Sequence, residues 1–143
     1  MMQRFVVKST EHEQIIDVTD KVKEAIKRSN VQCGICVVYV PNSTAAITIN
    51  HKDDEDLNQD FLTKMDDLIP WTDRYLHVAG DTAAHLKASL LGSSVTVIVE
   101  DGKPVLGSYQ SILFADFNGP HSHKLYVKVQ ADCDAAPAAE PEE

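Results

Sequence analysis

The residues best able to do chemistry lie in one stretch, HVAGDTAAHLKAS, which starts at His77 and contains Asp81 and His85. Asp81 followed by an apolar-rich run to Leu91 and then Gly92 predicts a short helix over Thr82–Leu91, capped by Asp81. His77 then falls in the loop before the helix, and His85 about one turn inside it. A helix start offers unpaired backbone N–H groups and the positive end of a dipole, which suits a small anion or a metal-bound substrate. Two imidazoles can also ligate a zinc-type divalent metal, which takes about three protein ligands and keeps an open position for catalysis. The helix N-terminus favours a neutral His85, the form that ligates. Metal-free acid–base catalysis uses the same groups, with His77 or His85 as base and Asp81 to orient it. Asp81 has an ordinary alternative use as the helix cap.

Further candidates lie outside this stretch. Lys87, two residues after His85, could anchor a small phosphate-bearing or anionic ligand together with the helix N–H groups; its plain reading is a surface lysine. Asn42-Ser43-Thr44 forms a polar turn between two apolar runs, a composition found in binding loops and equally in turns that satisfy their own backbone. Cys33 and Cys36 have the C-x-x-C spacing, but on a strand residues three apart face opposite ways, so they are expected to stay reduced thiols. His121 and His123 sit by a turn without a third ligand and are expected to face solvent.

The elements that must hold these groups are legible from periodicity. Arg4–Lys8 and Gln14–Val18 are short and β-prone and are expected to form an opening hairpin. Thr19 is expected to cap a helix over Asp20–Ser29 that buries Val22, Ala25 and Ile26. Cys33–Val40 is a continuous apolar run, the kind buried on both faces, and Ala45–Asn50 is a second strand. A helix over Glu55–Ile69 should present Leu57, Phe61, Met65, Leu68 and Ile69 on one face, with Pro70 ending it. Ser94–Glu100, the strands after the Asp101-Gly102 turn and Ser122–Gln130 read as a C-terminal meander. The fold class is therefore α+β with a largely antiparallel or mixed sheet and about three helices.

Length and charge bound the rest. The 143 residues suffice for one domain, placed at residues 1–131. The acids after Ala131 contribute −5 of the net −9, and residues 132–143 are expected to be a disordered acidic tail. The remaining body is mildly acidic with no Lys/Arg block, which argues against nucleic acid. No run reaches the roughly 20 apolar residues of a membrane span. The first residues lack the apolar core of a signal peptide, so a cytoplasmic location is expected.

A series of short motifs, in order, carries a family resemblance. They are Ala45-Ala46-Ile47-Thr48-Ile49-Asn50, His77-x-x-Gly80, Ala84-His85-x-Lys87-Ala88-Ser89-Leu90, Gly92-Ser93-Ser94-Val95, Glu100-Asp101-Gly102, Leu106-Gly107-x-x-Gln110 and Phe117-x-Gly119-Pro120. Over about residues 5–130 the chain resembles the YjbQ-like family, also called the secondary thiamine-phosphate synthase family. The resemblance implies a homotrimer with β-sheets around a threefold axis. It also implies a site near subunit boundaries, built from histidines of three motifs and holding a metal ion, with weak thiamine-phosphate synthase activity. By position His77 and His85 match two of the site histidines, and Lys87, Ser89 and Gln110 match further polar positions.

The chain departs from the family pattern at Asn42, where a histidine is usual, at His51, where an acid is usual, at Tyr109 in place of tryptophan, and at His121 in place of arginine. Asn42 is a poor ligand for a zinc-type ion, and His51 could take the third ligand place. The implied function is a metal-assisted enzyme acting on a small phosphorylated metabolite, with thiamine-phosphate synthesis weak or lost because the turn arginine is gone. The alternative is a non-catalytic trimer that binds a small anion or metabolite.

Overall fold

A computed structural model describes residues 2–52 and 54–132. The expected tail lies, from Cys133 onward, outside the described residues. In chain order the elements are β1 (Met2–Lys8), β2 (Gln14–Asp17), α1 (Thr19–Ser29), β3 (Gly34–Tyr39), β4 (Ala45–His51), α2 (Glu55–Leu68), α3 (Thr82–Leu91), β5 (Ser94–Glu100), β6 (Lys103–Pro104), β7 (Gln110–Asp116) and β8 (Ser122–Ala131). They form a five-stranded sheet ordered β1-β8-β3-β5-β6 and a three-stranded sheet ordered β2-β7-β4. Every strand pair is antiparallel, so the fold is α+β as read from the sequence.

The main core lies between the two sheets. Val38, Val97, Leu125 and Val127 of the larger sheet meet Ile47, Ile112 and Phe114 of the smaller one, and Val22, Ala25 and Ile26 of α1 close the layer. The far side of the smaller sheet carries a second cluster, in which Ala46, Ala115 and Phe117 pack against Leu62 of α2 and Ala84 and Ala88 of α3. Small residues on both partners let α3 lie close on β4. The smaller sheet is thus covered on both faces, and α3 is fixed directly over the strand that leads out of the Asn42 turn.

Several local expectations are corrected. The opening strands do not form a hairpin: β1 pairs with β8 and β2 with β7, in different sheets. The C-terminal strands do not form a meander, since β7 leaves for the smaller sheet while β8 inserts between β1 and β3. The Asp101-Gly102 turn is as expected, with both residues at positive φ, 53° and 71°, joining β5 to β6. The strand covered on both faces is β7, whose residues from Ser111 to Asp116 are all buried; β3 alternates and leaves Ile35 and Tyr39 exposed. Thr19 begins α1 but does not cap it. Asp17 Oδ1 accepts from the Thr19 N–H, while Thr19 Oγ1 accepts from Ile112 N, tying the helix start to β7.

In α2 the buried residues are Leu62 and Met65, and Leu57 and Leu68 are exposed, so the inward face is rotated from the one expected. Two buried side chains, at about 1.5–3 kcal/mol each, are a thin anchor for a fourteen-residue helix. Asp54 caps it by accepting from Leu57 N. Among the described residues no helix is long and apolar enough to cross a membrane.

Candidate metal centre

Asp81 occupies the N-cap position of α3, and its backbone oxygen accepts from Ala84 N at 3.1 Å and His85 N at 3.3 Å. Its carboxylate makes no cap hydrogen bond, contrary to the capping role expected from the sequence. Instead it bridges the two histidines: His77 Nε2 lies 2.8 Å from Oδ1, and His85 Nε2 lies 3.3 Å from Oδ2. The rings stand edge-on, their centroids 5.5 Å apart. One ligand atom from each of the three residues lies within 4.8 Å of the others.

Spacing explains the convergence. Asp81 and His85 are one helical turn apart, so their side chains stack on one face. Gly80, at φ 80°, turns the chain just ahead of Asp81, and His77 reaches back across that turn.

Electrostatics favour an ionised carboxylate. Desolvation opposes ionisation of Asp81, but the hydrogen bond from His77 and the charge of His85 outweigh it and hold the carboxyl below its usual range. An ionised carboxylate only accepts, so His77 Nε2 carries the hydrogen in this state. Asn118 Nδ2 points at Asp81 Oδ2 from 3.5 Å, and the backbone N–H of Asn118 is fixed by Asp116 Oδ1 at 3.0 Å.

The donor set fits a divalent ion. Tetrahedral ligands with bonds of about 2.0–2.1 Å stand roughly 3.3 Å apart, a small closure from the observed arrangement. Two imidazoles and one carboxylate suit zinc and other first-row metals. The side chains of His77, Asp81 and His85 are 47%, 23% and 37% exposed, so the outer coordination positions face solvent.

Beside His85 a cavity of about 390 Å³ opens between α3 and the Asn42 turn, lined by Asn42, Ser43, Ser89, Gly92 and Ser93. Ser89 and Asn42 therefore share that cavity with His85. Thr44 does not: it is buried, and both its N–H and its hydroxyl donate to Asn42 Oδ1 at 2.8 and 2.9 Å.

Three anticipated residues stand elsewhere. His51 is at the opposite end of β4, its ring stacked on Tyr109 with centroids 5.5 Å apart and its Nδ1 2.7 Å from Lys52 O, so within one chain it stands apart from the two histidines; the third side chain that could ligate beside them is Asp81. Gln110 pairs with His51 across β4 and β7, and its Oε1 accepts from Gly107 N. Lys87 is neither a surface lysine nor an anion anchor beside the histidines. It is fully buried on the inner face of α3, where Nζ donates to Glu13 at 2.8 Å and to Asp66, 5.9 Å from the Phe117 ring centroid. Desolvation pulls the Lys87 pKa down, but the hydrogen bonds to Asp66 and Glu13 win and hold it above the usual lysine value.

His123, expected at the surface, is buried with Nε2 2.7 Å from Asp116 Oδ2, which also accepts from Ser9 Oγ at 2.5 Å. Close backbone approach accompanies this network: a Cβ on Gly119 would meet Glu11 O at 2.3 Å and Ser9 Oγ at 2.6 Å. Cys36 is buried and Cys33 exposed. Sequence reasoning placed Asp81 beside one histidine but missed Asn118 and the contact of Asp81 with both histidines at once. The second was signalled by the four-residue spacing of Asp81 from each histidine.

The fold and site define a small α+β protein of two antiparallel sheets with an open His–Asp–His cluster at the start of its third helix. Residues 3–132 match the model of the family described as UPF0047 protein YjbQ-like, and the chain belongs to that family. A UPF0047 protein of Methanocaldococcus jannaschii is 41% identical over 92% of this chain and 96% of its own length. The UPF0047 protein YugU of Bacillus subtilis is 38% identical over 90% and 98%. A crystal structure of a yjbq/upf0047 family protein from Clostridium acetobutylicum is 42% identical, with a TM-score of 0.88 over 90% of this chain and 99% of that one. A YbjQ-like protein of unknown function from Sulfolobus solfataricus gives a TM-score of 0.88 at 27% identity, over 92% and 97%.

Proposed function

We propose that the protein is a metal-assisted enzyme acting on a small phosphorylated metabolite, with His77, Asp81 and His85 holding a zinc-type divalent ion. The observation that carries this reading is the convergence of three ligand atoms within 4.8 Å, next to a cavity of substrate size. Bound there, a divalent ion supplies Lewis-acid charge that polarises a phosphoryl or carbonyl oxygen.

The chain's own residues do the remaining work. Asp81 holds the two imidazoles at one carboxylate, and Asn118 orients that carboxylate. Ser43, Ser89, Ser93 and the Asn42 amide offer hydrogen bonds to the substrate in the cavity. Among the described residues no lysine or arginine lines that cavity, which supports weak or absent thiamine-phosphate synthesis, because a leaving diphosphate needs cationic stabilisation.

Assembly as a homotrimer belongs to the same reading. Val6, Ile35, Tyr39 and Ile98 are exposed on the outer face of the larger sheet, an apolar surface of the kind that subunits cover. Leu76 and Val78, 98% and 99% exposed, flank His77, so a neighbouring subunit seated there would close the open side of the cluster. A non-catalytic trimer that binds a small metabolite is the second reading, favoured by the solvent-open cluster.

Metal analysis of untagged protein tests the proposal. A stoichiometric divalent ion that His77→Ala removes is the expected result. Full turnover of a phosphorylated substrate by metal-free protein would sink it, and a phosphorylated metabolite that stabilises without turnover would favour the second reading.

A further inference from the structure

A second cavity, of about 450 Å³, lies at the other end of the smaller sheet from the cluster. Lys23 of α1, Lys52 just after β4 and Lys103 of β6 line it, with Ser108 and Gln110 from the loop that enters β7. These three lysines are far apart in sequence and are brought together only by the tertiary fold. Among the described residues none of them takes part in an ion pair, whereas Lys87, Lys64 and Arg28 all do. Asp17 and Asp20 also line the cavity, but one Asp17 oxygen is committed to the Thr19 N–H, and the lining keeps a net positive charge. Concentrating unpaired cations in one cleft of a chain of net charge −9 is the opposite of a solvated acidic surface.

Next to the lining residues in the chain stands an exposed aromatic pair. Tyr109, between Ser108 and Gln110, is 68% exposed and stacks on His51 with an interplanar angle of 17°. Lys52 N donates to Tyr109 O at 2.8 Å, which ties the aromatic pair to a lysine of the cleft. Gln110 Oε1 is used by Gly107 N, leaving the amide nitrogen as the donor it can offer. The cleft therefore offers ammonium groups, a hydroxyl and an amide donor, and the exposed Tyr109 lies between two of its lining residues in the chain.

We infer that this cleft is a binding site for the phosphoryl group of a small aryl phosphate, whose ring lies on Tyr109. Lys23, Lys52 and Lys103 give charge-assisted hydrogen bonds to the dianion, and Ser108 and Gln110 fix its orientation. The six residue steps of β4 from Ala45 to His51 separate the cleft from the His85 cavity by roughly 20 Å within one chain. The inference does not depend on a metal at the cluster, so the two readings fail separately.

Calorimetric titration of the full chain with phenyl phosphate, inorganic phosphate and phenol tests it. Phenyl phosphate is expected to bind best and phenol not at all. Lys52→Ala and Lys103→Ala should each weaken both phosphates by about fivefold. Lys103→Arg should restore most of the affinity, and Lys64→Ala, in an exposed pair on α2, should leave it unchanged. Tyr109→Ala should weaken phenyl phosphate by about threefold and spare inorganic phosphate. Phosphate affinities unchanged in the combined Lys23→Ala, Lys52→Ala, Lys103→Ala variant would overturn the site. Equal binding of phenyl and inorganic phosphate, insensitive to Tyr109→Ala, would overturn the aryl assignment.

Discussion

Lys87 and His85 stand two residues apart on α3, and the helix treats them in opposite ways. On the inner side Lys87 is fully buried between Glu13, from the β1–β2 connection, and Asp66 of α2. On the outer side His85 shares Asp81 with His77 and borders a solvent-open cavity. Both constellations join charged groups from separate segments. The inner one is satisfied by the fold itself and reinforces the thin attachment of α2. The outer one gathers ligands whose remaining valences point away from the protein. Burial and complete pairing mark a structural role, while convergence with open valences marks a chemical one.

Removing the inner cation is the harshest way to break this contrast. Lys87→Met should cost about 3 kcal/mol of stability, because it strands the carboxylate of the largely buried Glu13 next to Asp66. Chemical denaturation measures it, and a cost below about 1 kcal/mol would show that the ion pair carries little net weight. His85→Ala should show the reverse profile. Metal affinity by chelator competition should fall by about a hundredfold or more, while the metal-free stability stays within about 0.5 kcal/mol of wild type. Equal losses of stability in the two variants would erase the distinction.

A milder change sharpens the outer site. Asn42→His places an imidazole on the cavity wall opposite Ser89 and His85, and metal affinity should rise by about tenfold. The same change removes the acceptor of two Thr44 hydrogen bonds, so stability should fall by about 1 kcal/mol. Unchanged affinity would mean that Asn42 lies out of reach of the ion.

The smallest effect concerns the thiols. Burial pushes Cys36 up from 9.0 to about 11. A raised folded-state value gives stability that is intact below pH 9 and lost as pH rises through about 11. Alkylation of the native protein at pH 8 should therefore label Cys33 and spare Cys36, as peptide mass spectrometry can read; fast labelling of Cys36 would contradict its burial.

What the sequence disclosed follows the range of the forces involved. The end of α3 is legible because Gly92 takes a positive φ locally, and the Asp101-Gly102 turn because its positive φ angles are a property of those two residues; the start falls at Asp81 as expected, although its side chain makes no cap bond. The pairing of β1 with β8 and of β2 with β7 was not, since it joins segments about a hundred residues apart and no local pattern encodes it. Continuous apolarity placed burial on β3, whereas its outer residues Ile35 and Tyr39 are exposed. Lys87 reads from the sequence as an anion anchor or a surface lysine, and His123 as solvent-facing, because their charge partners, Glu13, Asp66 and Asp116, come from remote segments. His77 and His85 were found through type and spacing. Asp81 carries two readings in the sequence, the helix cap and the group that orients a histidine, and spacing alone does not choose between them.

Leu76 and Val78 stand in solvent on either side of His77, on a segment held by the Tyr75 hydroxyl to Pro70 O and by the contact of His77 with Asp81. An ion gripped by His77 and His85 would act as a clasp, fastening that segment to α3. If a neighbouring subunit seats on Leu76 and Val78, metal loading and assembly become thermodynamically linked. Each must then strengthen the other by the same factor. Sedimentation at a series of free zinc concentrations reads that reciprocity directly, and an assembly midpoint indifferent to zinc would dissolve the link.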